Sequence, residues 1–438
     1  MMIRYAGLVS IVLAALAIAS GLWLAACARP LRAPATPEAR ATVPGPPSDD
    51  LAPAASRRSE PPRRGGARPS AQVDPASNWS VHPMQAENHR LTALGRAPEE
   101  TFPGDYLSVP LEDLYDMFPA KGSVRPLRPG DLKAVAADAA GLKDDSIVLG
   151  VRLNGLTRAY PRNVLAYHVA ANDIIEGTPV LACFDAVSGA CIAYQRPGTA
   201  NNAPILAASG AGFRATGLLY DERTESLWSI LGGGWVSAHP DRAAGEQYLT
   251  GRPIAGPMVN DYPVLRPLPS VCMTWAAWRE RYPATTVVQV EADTGHDYAI
   301  DPYTSVQGSD GQIVDYYTAE GLVLALKGTG GDPGALADKA WVLGIALPSG
   351  PLAVGEEQAL NAAAGKVTTL ELNSASGKLM LHIDAAAGSL IATTSGHVVP
   401  PQVRLFWVAW RSQFPDTQVW NPEADGAPAP TNAVSVPE

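Results

Sequence analysis

A four-residue apolar run, Val148-Leu149-Gly150-Val151, returns as Val342-Leu343-Gly344-Ile345, and Trp275-Ala-Ala-Trp278-Arg279 returns as Trp407-Val-Ala-Trp410-Arg411. Two matches in the same order make the chain an internal duplication, so its fold has to be built from a unit that can be used twice. In the first copy Asn154-Gly155 tolerates the positive φ of a two-residue hairpin turn, and Leu156 to Tyr160 is the return strand. Pro161 fits a helix start, and Val164, Leu165, His168, Val169 and Asn172 keep helical spacing up to a stop at Gly177. Val180 to Phe184 and Ala190 to Tyr194 read as two more strands around a turn from Asp185 to Gly189. In the second copy Ser349-Gly350 takes the first turn, and Thr369 to Gly377 is read as the later hairpin, with Asn373 and Gly377 standing for Asp185 and Gly189. Tryptophans three apart share one helix face, and Pro283 and Pro415 stop the two helices. The Trp pairs are read as core. The expected fold is α+β, predominantly antiparallel β, with two β-rich pseudo-repeats each ending in a short Trp-containing helix.

Ahead of the first copy the composition changes twice. Residues 1–26 hold an apolar run from Ala6 to Leu24 after Arg4, and Leu24-Ala-Ala-Cys27 matches a bacterial lipobox, so a lipoprotein signal peptide and an acylated Cys27 are expected. The 48 residues 28–75 contain eleven prolines, eight arginines and five acids, and are expected to form a disordered linker. Setting aside Arg4 and these eight arginines from 33 basic residues, and the five acids from 43, leaves residues 76–438 at net −14. An acidic body makes nucleic acid an unsuitable partner. The expected organisation is the lipidated linker 27–75, a first repeat with insertion over 76–295, a connector over 296–340, a shorter second repeat over 341–420 and a disordered tail over 421–438. A helix is expected from Asp131 through Leu132 and Val135 to Gly141.

Between hairpin and Trp helix the first copy carries an insertion, with a strand, turn and strand expected around Tyr220-Asp221 and Ser226-Leu227-Trp228. The glycines at 232–234 lack the Lys-Ser or Lys-Thr of a phosphate loop. With Cys27 acylated, Cys183, Cys191 and Cys272 remain. Cys183 and Cys191 lie symmetrically about Val187, so a hairpin disulfide, free buried thiols, and a metal or redox site with His168 all stay open. No HExxH, paired CxxC or GxSxG occurs. Asp221, Glu222, Asp301 and Asp310 would pair only if the fold brought them together.

Taken together, the VLGV strand with Ala159-Tyr160-Pro161, His168 before Asn172-Asp173, Cys183, Tyr220-Asp221, the Trp275/Trp278 helix and His296-Asp-Tyr298 with Asp301-Pro302-Tyr303 resemble the bacterial family of the domain of unknown function 3179. The resemblance covers about Arg125 to Val288 directly. It implies thiol or metal chemistry, through a His-Glu pair and a Cys-Pro-Leu-Cys-Gly motif. Here Val169 follows His168, and Phe-Asp-Ala follows Cys183, so the resolving thiol of a dithiol centre is missing. The candidate binding or redox residues are therefore His168, Asn172, Asp173, Cys183, Tyr220, Asp221 and Trp228, with no catalytic or metal-ligating residue assigned and no cofactor expected. The favoured expectation is an extracytoplasmic lipoprotein, anchored in the bilayer through Cys27, acting as a non-catalytic binding or structural module for an unidentified small molecule or protein. The alternative is a periplasmic thiol-redox or metal-binding protein with a site around His168 and Cys183.

Overall fold

The structure, a computed structural model, describes residues 107–110, 113–117, 121–232, 249–261, 263–307, 311–319, 335–363, 368–374, 377–384, 388–394 and 399–421. The signal peptide, Cys27, the linker and all but the first residue of the tail lie outside them. Asn154 and Gly155 both take positive φ, 52° and 81°, and close β1 (Ile147–Leu153) onto β2 (Leu156–Pro161). Helix α1 (Arg162–His168) follows directly. It ends at His168 rather than continuing to Gly177, because Val169 takes φ 61° and the chain reverses into β3 (Ala170–Ile175). Glu176 and Gly177, at φ 45° and 78°, form a second primed turn, so residues with helical spacing are claimed by a ladder with β4 (Thr178–Asp185). β5 (Ala190–Gln195) completes a three-stranded meander.

The insertion is a sheet of its own, in which β6 (Leu206–Phe213), β7 (Thr216–Asp221), β8 (Leu227–Ser229) and β9 (Arg252–Ala255) follow one another, with Leu114–Asp116 along β6. The first copy closes with β10 (Ser270–Thr274), α2 (Trp275–Arg281) and β11 (Thr286–Val290). The second runs β12 (Trp341–Leu347), β13 (Gly350–Gly355), α3 (Glu356–Ala362), β14 (Thr368–Ser374), β15 (Gly377–Asp384), β16 (Ser389–Thr394), β17 (Gln402–Phe406), α4 (Trp407–Gln413) and β18 (Gln418–Val419).

Both copies use the same pairings. β10 lies antiparallel to β1 and β11 parallel to β2, just as β17 lies antiparallel to β12 and β18 parallel to β13. The Trp helices are pinned alike. The Trp278 indole donates to Thr285 Oγ1 at 2.9 Å and Trp410 to Thr417 Oγ1 at 2.8 Å, with Tyr282 and Phe414 rings each 4.4 Å from their indole. The meanders also match, though one strand later than the sequence spacing places them. Cys183 pairs Ala170 and Ile192, His382 pairs Thr369 and Ile391, and Asp185 with Ala190 corresponds to Asp384 with Ser389. Asp384 and Gly388, not Asn373 and Gly377, therefore stand at the places of Asp185 and Gly189. By the same register His382 and Leu390 stand at those of Cys183 and Cys191. The copies are interlocked: β5 of the first meander pairs with β17, opposing Cys191 to Arg404, while Ile391 of β16 shares the core of Trp275 and Trp278.

Two further expectations are corrected. No helix starts at Asp131; Pro129–Asp131 is one 3-10 turn, and Leu132–Ala136 is a strand that extends the first sheet beside β11, Leu132 opposite Val290. A free strand edge offers those five residues a full ladder, which outweighs a weak apolar stripe. Nor do Cys183 and Cys191 bond. Cys183 faces Ile192 and Phe184 faces Cys191, so the hairpin axis falls between Val187 and Ser188. The two cysteines are in adjacent rows and point to opposite faces of the sheet. Cys191 is instead bonded to Cys272 of β10, with Cα atoms 6.7 Å apart, and Cys183 is a free buried thiol.

Candidate functional site around His168

Helix α1 is short and presses Val164, Leu165, Ala166, Tyr167 and His168 inward. His168 is 1% exposed, and both ring nitrogens are engaged. Nδ1 lies 2.7 Å from the Arg125 carbonyl oxygen, which can only accept, so Nδ1 carries the proton. Nε2 then accepts from the Tyr298 hydroxyl at 2.6 Å, and Tyr298 in turn accepts from Thr294 Oγ1 at 2.6 Å. The result is a one-way chain from Thr294 through Tyr298 and the imidazole to the main chain. Beside it the exposed His296 ring stacks on Tyr167, with centroids 4.5 Å apart at 19°, and meets His168 edge-on at 5.4 Å. The Tyr167 hydroxyl is buried without a hydrogen-bond partner among the described residues.

Burial lowers the His168 pKa from 6.5 to about 4, opposed by the Arg125 carbonyl. Between those values the unfolded chain binds the proton that the folded one refuses, so stability rises with pH across that window. Neutral His168 is expected to add about 3 kcal/mol at pH 7 that is lost as pH falls from 6.5 to 4. The buried carboxyls Asp185 and Asp301 are raised by desolvation and act in the opposite sense. Urea unfolding of wild type and His168→Gln at pH 7 and 4.5 isolates the histidine: the variant's stability should vary markedly less, and equal slopes would refute the assignment.

The other sequence-suggested residues go elsewhere. Asn172 acts as a clamp. Its amide donates to the Leu127 and Leu206 carbonyls at 3.1 and 2.9 Å and accepts from Leu206 N at 2.9 Å, holding β3 to β6. Asp173 accepts from Arg158 at 2.7 Å, Tyr160 at 2.8 Å and Ile174 N at 2.7 Å, a satisfied buried network. Cys183 lines a small cavity with Val169, Asp185, Gly217 and Ile230, and desolvation pushes its thiol far up, which suppresses the thiolate. Asp221 closes a turn, accepting from Arg223 N, Thr224 N and the indole of Trp228, itself fully buried. Tyr220 is half-buried beneath the Lys121 ammonium, 4.6 Å from its ring. These contacts do not bring the candidates together at one site. Nor do the acidic candidates form a pair: Glu222 binds Arg128, Asp301 binds Arg162, and Asp310 lies outside the described residues.

Sequence spacing left out the residues that surround His168. Arg125, Tyr167, Thr294, His296 and Tyr298 come from segments up to 130 positions away from it. The one available signal was the cluster His296-Asp-Tyr298, which falls in the stretch read as a connector. Among the described residues the second copy has no counterpart of the cluster, since the helical register puts Ala362 at the place of His168 and Glu356 at that of Arg162. Among the described residues no three His, Cys, Asp or Glu side chains are placed to share a metal ion, and no helix is long and apolar enough to cross a membrane.

A family model described as "Protein of unknown function (DUF3179)" matches residues 126–417, spanning both copies and the insertion. No curated protein and no solved structure matches the chain.

Proposed function

From the premise that the chain belongs to the family described as protein of unknown function (DUF3179), we propose that it is an extracytoplasmic lipoprotein, held to a bacterial membrane by acylated Cys27, whose folded body is a non-catalytic binding or structural module. One observation carries this, the pairing of Cys191 with Cys272 that leaves Cys183 alone. A disulfide inside a packed core fits an oxidising compartment, which is where a lipobox cysteine would deliver the chain. The same pairing leaves Cys183 with no thiol to exchange with, and its burial removes the nucleophilic form. Both nitrogens of His168 are occupied, so it offers neither a free ligand atom nor a base. The accessible part of that cluster is the stacked His296, a surface for recognition and not for turnover. A thiol-redox or metal site joining His168 to Cys183 draws no comparable support, because His168 bonds towards Arg125 and Tyr298 and does not line the Cys183 cavity.

Two measurements test the proposal. Wild type should take up labelled palmitate and Cys27→Ser should not; sedimentation does not separate them, because the uncleaved apolar run of the variant holds it to the membrane. Alkylation of the unfolded, unreduced protein should label one thiol, Cys183, rising to three after reduction. Three labelled thiols before reduction, or a wild type that takes up no palmitate, would sink it.

A further inference from the structure

We infer that the groove between α2 and the second meander binds a carboxylate carried on a small apolar body. This deepens the binding-module reading by giving the module a ligand class. The groove, of about 30 Å³, has Trp278, Tyr282, Val271 and Ile391 on its walls and Arg152 and Arg281 at its sides. Both guanidiniums sit over the same ring, 5.5 and 6.0 Å from the Tyr282 centroid. Neither has a carboxylate partner among the described residues, although the chain as a whole carries net −10. Two unpaired cations beside an apolar surface in an acidic protein favour an anion with an apolar face.

The duplication shows what occupies the equivalent place. The Arg152 amide donates to the Pro269 carbonyl and the Ala346 amide to that of Pro401, which fixes the correspondence: Ala346 for Arg152, Gln413 for Arg281, Phe414 for Tyr282. In the second copy the insertion covers this face. Gln413 Nε2 donates to the Phe213 and Arg214 carbonyls at 3.1 and 3.2 Å and to Thr216 Oγ1 at 2.7 Å, all at the β6–β7 turn. Every residue of α4 is buried, and Phe414 is 3% exposed. In α2 only Trp275 and Trp278 are buried, and Tyr282 is half-buried. The closed copy thus presents oxygen acceptors to the side chain at position 413. The open copy replaces that neutral amide by a guanidinium, whose forked donors match two carboxylate oxygens. Position 152 adds a second charge where the closed copy needs only a methyl group.

The test is saturation-transfer difference NMR on the full chain in detergent, with benzoate and benzamide as probes. Benzoate should give a saturable signal at millimolar concentration and benzamide one about ten-fold weaker. The double variant Arg152→Ala, Arg281→Gln installs the side chains of the closed copy at half-exposed positions, and should lose about ten-fold in benzoate affinity with an unchanged melting temperature. Equal response to acid and amide, no response to either, or full benzoate binding by the double variant would each overturn the inference. None of those outcomes alters palmitate uptake or the thiol count, so the two proposals fail separately.

Discussion

Cys272→Ser is expected to lower the free energy of unfolding by about 4 kcal/mol under non-reducing conditions, with the same loss when wild type is reduced. The bridge closes 81 residues, and in the chain-entropy model a loop of that size lies between the values of about 3 kcal/mol for 15 residues and about 4.7 for 100. Its position adds a structural consequence. Cys191 is in the strand that joins the second copy's sheet at Arg404, and Cys272 is in the strand that supports the first copy's Trp helix. Losing the bond frees the insertion and the crossing point together, so denaturant unfolding should become less cooperative as well as earlier. Cys183 offers the control. It is buried without a bond, so Cys183→Ala removes one sulfur from a packed site and should cost about 1 kcal/mol, with no added sensitivity to reductant. A Cys272→Ser protein as stable as unreduced wild type would show that the cross-link constrains nothing.

What could be read from the sequence was what short-range rules govern. Asn154-Gly155 specified its turn, and tryptophans three apart before Tyr-Pro or Phe-Pro specified two short helices with buried indoles. Failures came where local preference competed with a ladder. Ala170 to Ile175 continues a helical spacing, yet Glu176-Gly177 can close a tight turn, and pairing with β4 satisfies the backbone better. Hairpin parity decides against the Cys183–Cys191 bridge that the sequence left open: an axis between Val187 and Ser188 instead of through Val187 turns one cysteine to the other face. The displaced repeat match has the same origin. Asn373 to Gly377 does join two paired strands, Ser374 opposite Gly377, but as the first hairpin of its meander; Asp384-Ala-Ala-Ala-Gly388 preserves the Asp and Gly of Asp185-Ala-Val-Ser-Gly189 and also its register. The His168 cluster was beyond such rules, because its partners Arg125 and Tyr298 approach from opposite directions along the chain and only the folded sheet brings them together.

The glycine shared by the two opening strands yields the second large effect. Gly344→Ala is expected to cost about 3 kcal/mol, although alanine in a strand interior should otherwise stabilise by roughly 0.5–1 kcal/mol. A Cβ at Gly344 would lie 2.2 Å from Cε3 of Trp410, and one at Gly150 would lie 2.3 Å from Cε3 of Trp278. Neither indole can simply rotate away, since each is held by its threonine and by the adjacent aromatic ring. Trp410→Leu alone should cost about 3 kcal/mol through the void it leaves. In that background Gly344→Ala should cost under about 1 kcal/mol, giving a coupling near 2 kcal/mol in a double-mutant cycle. Costs that add to within about 0.5 kcal/mol would mean that the ring does not exclude the methyl group. The two copies should also differ in degree. α4 is buried on every side, so Trp410 has no room to yield, whereas Trp278 borders the open groove beside Arg152 and Arg281 and can shift into it. Gly150→Ala should therefore cost less than Gly344→Ala, and the displaced indole should reduce benzoate binding in the same protein.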